Sequence, residues 1–181
     1  MVILRRSLGV LAVAVLVLMA ATSAGAVTVK ETDTYRDLAI VEANVCIAPP
    51  EGIAGNVMLH VNFKVTYNDN KQAVDASLHV HAHGANLAGF EIVQLDPLVL
   101  GAPTGVKYVI KDQLQAPPER VNLPGTKIAL RGIATIKLNR QFQATGLLGG
   151  DDFYLRIQVL AYEDLTGNQN VVVENVRFDC K

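Results

Sequence analysis

Between Val57 and Tyr67 every odd position is apolar (Val57, Leu59, Val61, Phe63, Val65, Tyr67), while Asn56, Met58, His60, Asn62, Lys64 and Thr66 fill the even ones. A period of two marks a β-strand with one buried face, because successive side chains point to opposite sides. After the turn-forming run Asn68-Asp69-Asn70-Lys71 the parity inverts: Val74, Ala76, Leu78, Val80 and Ala82 are apolar, and Asp75, Ser77, His79, His81 and His83 are polar. Only some registers put both apolar sets on one face. Closing the turn with Asn68 facing Lys71 does so, and places Val61 opposite Leu78, Asn62 opposite Ser77, Lys64 opposite Asp75 and His60 opposite His79. All 4 histidines of the chain then share the outer face.

The same alternation recurs along the chain. Val27 to Arg36 reads as an edge strand or a frayed terminus and Leu38–Cys46 as a less cleanly alternating strand, broken by Ala48-Pro49-Pro50-Glu51-Gly52. Phe90 and Ile92 share a face, Pro97 and Pro103 bound a loop, and Val106, Tyr108 and Ile110 point inward. Residues 113–126 read as a long surface loop. Ile128, Leu130, Gly132, Ala134, Ile136, Leu138 and Phe142 fall on even positions, with Gly132 a candidate bulge or bend. Gly149-Gly150-Asp151 is expected to turn into Phe153, Leu155, Ile157, Val159 and Ala161. Thr166-Gly167-Asn168 turns again, and Val172, Val176, Phe178 and Cys180 face inward on the last strand. No stretch of 27–181 keeps a helical period, so the chain is expected to be all-β, an antiparallel β-sandwich of about eight strands. An up-and-down β-barrel is the alternative; the long irregular crossing at 113–126 favours the sandwich.

The first residues set the compartment. Arg5 and Arg6 precede an apolar run of about 13 residues, Leu8 to Ala20, and Ala24-Gly25-Ala26 supplies the small residues that a signal peptidase reads. The run is short of the roughly 20 residues a spanning helix needs. Residues 1–26 are therefore read as a signal peptide cleaved near Ala26, and 27–181 as a single secreted or periplasmic β-domain with no membrane span. Cleavage lowers Lys plus Arg from 16 to 14 against 17 acids, leaving the domain mildly acidic. Without a basic block, nucleic acid is not an expected partner. Cys46 and Cys180 are the only cysteines, and in an exported chain they are expected to form one disulfide.

Asn44-Val45-Cys46, Leu59-His60-Val61, His79, His83, the stretch Thr104 to Tyr108, Asp151-Asp152-Phe153-Tyr154-Leu155 and the run from Glu174 to Cys180 resemble a group of uncharacterised small secreted bacterial β-proteins. Lys64 and His81 depart from that pattern. The resemblance implies the fold class, export and the cysteine pair, and no activity.

Candidate chemistry is concentrated in the histidines. His79, His81 and His83 alternate along one strand with His60 across from them, a spacing from which three imidazoles could hold zinc or copper with an open position, and a zinc enzyme would be the extreme case. A polar, solvated strand face is the plainer reading, and a surface responding to pH near 6 is a third. A serine triad has little support: Ser77 is the only serine of 27–181, and no nucleophile elbow surrounds it. The expected function is thus a non-enzymatic binding or structural domain, its partner a small apolar ligand held among the strands or another envelope protein. The lack of tryptophan and the 6% aromatic content weaken carbohydrate stacking as the mode.

Overall fold

The structure, a computed structural model, describes residues 27–142 and 148–179. The signal-peptide reading of 1–26 and the Cys180 end of the expected disulfide lie outside the described residues. Eight strands follow in order: β1 (Thr28–Asn44), β2 (Glu51–Tyr67), β3 (Ala73–Leu95), β4 (Leu98–Gln115), β5 (Glu119–Arg120), β6 (Thr126–Phe142), β7 (Leu148–Asp164) and β8 (Gln169–Asp179). They form one antiparallel sheet in the order β1-β2-β3-β4-β6-β7-β8, with the short β5 added to β6.

The expected sandwich does not form. A sandwich needs two sheets, and among the described residues there is one, curled into a half-barrel. Strands of 17 residues or more carry enough right-handed twist to coil a single sheet around its own apolar face. The crossing that favoured a sandwich is partly strand: Gln113–Gln115 end β4 and Glu119–Arg120 are β5. Likewise the expected loop between Pro97 and Pro103 is the first part of β4, and β7 already begins at Leu148, before the expected glycine turn.

Side-chain alternation places the core where the sequence puts it. Val57, Leu59, Val61, Phe63 and Val65 of β2, Leu78 and Val80 of β3, Ile136 and Leu138 of β6, and Phe153, Leu155, Ile157 and Val159 of β7 are all buried together. Gly132 lies in regular pairing with Val159, not in a bulge. Its role is close approach: a Cβ there would come within 2.9 Å of Leu78 Cδ2, so β3 and β6 touch across the inside of the curve.

The β2–β3 register differs from the expected one by two residues, which preserves the shared apolar face. Val61 pairs with Val80, Asn62 with His79, Lys64 with Ser77 and His60 with His81. The turn is longer than expected, since Asn68 N–H donates to Gln72 O at 3.0 Å, and Val74 is left as an extra residue opposite the Thr66–Tyr67 step. A second bulge leaves His83 unpaired between Ala82 and Gly84. In β8 a bulge at Glu174 flips the parity, so that Val171 is buried while the expected core residue Val172 is 43% exposed.

Side chains close two seams that lack a backbone ladder. The first half of β3 is not paired with β4, and glutamines take over: Gln115 accepts from Val80 N–H (3.3 Å) and donates to Leu78 O (2.7 Å), while Gln113 accepts from Ala82 N–H (2.9 Å). A primary amide offers the donor and acceptor of a peptide group, so it can stand in for a strand neighbour. At the other seam β1 meets β8, with Lys30 donating to Gly167 O, Thr32 to Gln169 and Arg36 to Val171 O. Partners advance in the same direction on both strands, so β1 and β8 run parallel.

Gly55 has φ +146°, and a Cβ would lie 1.9 Å from Asn86 O. Gly55→Ala is expected to cost roughly 2 to 5 kcal/mol. Gly84→Ala, with nothing within 4 Å of its added Cβ, should leave stability unchanged or slightly raised. Urea unfolding of the two variants checks this, and equal midpoints would contradict the β2–β3 packing.

Candidate functional site

On the outer face the histidines divide into separate environments. His60 of β2 lies flat against Tyr35 of β1, with ring centroids 4.4 Å apart and planes 5° from parallel. Its Nε2 meets Asp33 Oδ1 at 3.0 Å. The His83 ring lies 5.3 Å from that of His60, brought there by the bulge. Asn62 donates to both Asp33 and Glu31 at 2.6 Å, and its bond, followed by that of His60, holds the Asp33 carboxyl below the ordinary range. His81, across from His60, has Nδ1 against Gln113 Nε2, and His79 stands opposite Asn62 instead of His60. Among the described residues no group of three His, Cys, Asp or Glu side chains is placed to hold a metal ion.

The inside of the half-barrel is filled. Phe63, Leu78, Leu138 and Phe153 are at most 1% exposed. Space lies instead at one end of the sheet, where the chain leaves β1 at Asn44 and returns at Glu51. There a recess of about 630 Å³ is lined by the Cys46–Glu51 segment, Phe90, Glu91, Ile92, Thr104 and Arg140.

A buried carboxylate organises the base of this recess. Glu51 is 4% exposed and sits at the inward parity of β2. Its Oε1 accepts from Thr104 Oγ1 at 2.6 Å and Arg140 Nη2 at 3.4 Å, and its Oε2 from Arg140 Nε at 3.0 Å and from the Tyr108 hydroxyl. Asn44 Nδ2 donates to the same hydroxyl at 3.3 Å, and Asn44 Oδ1 accepts from Cys46 N–H at 3.0 Å. Gly89 makes the room, because a Cβ there would be 2.5 Å from Glu51 Oε1. Burial alone raises the pKa of Glu51, but the bonds from Arg140, Thr104 and Tyr108 outweigh it and leave the carboxyl below its ordinary 4.5. Burial, then the Glu51 bond, pushes the Tyr108 hydroxyl upward.

The opposite end of the core has a similar plug. Glu163, 1% exposed, accepts from Tyr67 OH, from Lys127 Nζ at 3.1 Å and from Gln169 Nε2 at 3.4 Å. Neither plug was anticipated among the site residues. The signal was there: Glu51, Arg140 and Glu163 are charged residues at positions whose parity matches the buried members of their strands. What alternation does not give is which of them meet across the sheet. Comparison of the chain with known protein families, curated proteins and solved structures finds no match.

Removing one partner of a buried ion pair strands the other charge. Arg140→Met is expected to cost about 3 kcal/mol, and adding Glu51→Leu should recover most of it, measured by chemical denaturation. The depressed pKa of Glu51 contributes stability that is complete above about pH 4.5 and is lost as pH falls through the folded-state value. Between neutral pH and acid, the double variant should therefore lose less stability than wild type, and equal losses would remove Glu51 from the account.

Proposed function

We propose that this chain is an exported, non-enzymatic binding domain whose ligand occupies the recess beside Glu51. The recess itself carries the reading: its volume falls in the range of small-molecule sites, Ile47, Pro49, Phe90 and Ile92 give its largely polar lining apolar patches, and two of its polar groups, Thr104 and Arg140, are fixed by Glu51. A role outside catalysis is supported by the engagement of Glu51. Four donors surround its two oxygens, so it is not a free base.

Export rests on the signal-like residues 1–26 and on a disulfide between Cys46 and Cys180. The β1/β8 seam supports that pairing. Its contacts join residues 137, 137 and then 135 positions apart as the strands advance, and Cys46 and Cys180 continue the series at 134. The disulfide would fasten the seam at the recess end, beside the Cys46–Glu51 wall. Loop-closure entropy puts such a bond at roughly 4 to 5 kcal/mol.

Two measurements test this reading. In chain starting at Val27 and purified without reductant, neither cysteine should react with an alkylating agent, and reduction should lower the urea midpoint; two reactive thiols in folded protein would contradict the pairing. In a fragment screen followed by amide chemical shifts, hits should perturb Phe90, Ile92 and Thr104. Shifts confined to Tyr35, His60 and His83 would move the site to the outer face.

A further inference from the structure

We infer that the recess selects an organic monocarboxylate, held by the outer edge of the Arg140 guanidinium with its apolar body against Phe90 and Ile92. This rests on the recess being the binding site. Glu51 grips Arg140 from the side, through Nε and Nη2. The ring of Phe142 lies 5.1 Å from Cζ and fixes the plane of the group. The bonds to Glu51 use Nε and Nη2, the Tyr108 hydroxyl also lies against the guanidinium, and the side chain, 21% exposed, lines the recess. The outer edge therefore presents a pair of N–H donors in a fork that matches a carboxylate, already held in place and with little rotamer freedom left to lose.

The surrounding charge sets the valence of the guest. Glu51 is saturated by its donors, and Thr104 spends its hydroxyl hydrogen on the same carboxylate. Glu91, also on the wall, is exposed and carries a second negative charge. One guanidinium facing two carboxylates can still orient a single carboxylate at short range, whereas a dianion such as phosphate meets repulsion without a second cation to offset it. The apolar wall then distinguishes an alkyl or aryl acid from acetate.

The test uses the oxidised chain from Val27 and two matched probes, 4-phenylbutyrate and its uncharged amide, titrated while the Phe90, Ile92 and Thr104 amides are followed by NMR. The acid should bind wild type about tenfold or more tighter than the amide, the difference expected for one charge-assisted contact. Arg140→Lys, which keeps the charge and the buried pairing but not the fork, should lose most of that preference, and Arg140→Gln/Glu51→Gln all of it. Equal binding of acid and amide at the recess would overturn the carboxylate inference and leave the recess as a binding site. No shift with either probe up to about 5 mM would overturn both.

Discussion

An antiparallel meander that runs through an odd number of strands brings its first and last strands together parallel, and the whole closure of this domain depends on how that mismatch is met. The path from β1 to β8 has this form. Parallel neighbours need evenly spaced, slanted backbone bonds, and no such ladder joins β1 to β8 among the described residues. Lys30, Thr32 and Arg36 reach across instead, two of them to backbone carbonyls. Gln113 and Gln115 do the equivalent work where β3 and β4 diverge. Curvature that would otherwise leave strand edges bare is thus covered by side chains of matching hydrogen-bonding character.

The two ends of the core follow one design and differ in consequence. Each has a buried glutamate bonded to a tyrosine hydroxyl and a cation: Glu51 with Tyr108 and Arg140, Glu163 with Tyr67 and Lys127. At the Glu163 end the β7–β8 connection is tight, since Asp164 accepts from Thr166 Oγ1 (2.6 Å) and Asn168 N–H (2.8 Å), bonds that lower its pKa to about 2. At the Glu51 end the connection is the proline-containing segment from Cys46 to Pro50, which walls the recess while Cys46 and Ile47 pack against the core. At the Glu51 end the plug that seals the core is therefore also the base of the recess proposed to bind a ligand.

The outer histidine face shows how small shifts in pairing redirect chemistry. In the register read from the turn, His60 met His79; with a longer turn it meets His81, and the bulge swings His83 toward the Tyr35–His60 stack. Asp33 and Gln113 then each engage one imidazole. A two-residue slip is invisible to an alternation pattern, because it leaves every side chain on the same face. Bulges are equally hidden, as at Glu174, where one extra residue exchanges Val171 for Val172 in the core.

The alternation of Val57 to Tyr67, Ile128 to Leu138 and Phe153 to Ala161 by itself determined that the chain is all-β and which face of each of these strands is buried, since strand geometry forces neighbouring side chains to opposite sides. Tertiary structure decided the rest: one coiled sheet in place of two, the ladder partners, and the meeting of Glu51, Tyr108 and Arg140 from β2, β4 and β6. The period of two is a local property of the backbone. Twist summed over long strands, and the pairing of buried charges far apart in sequence, are set only when the sheet closes on itself.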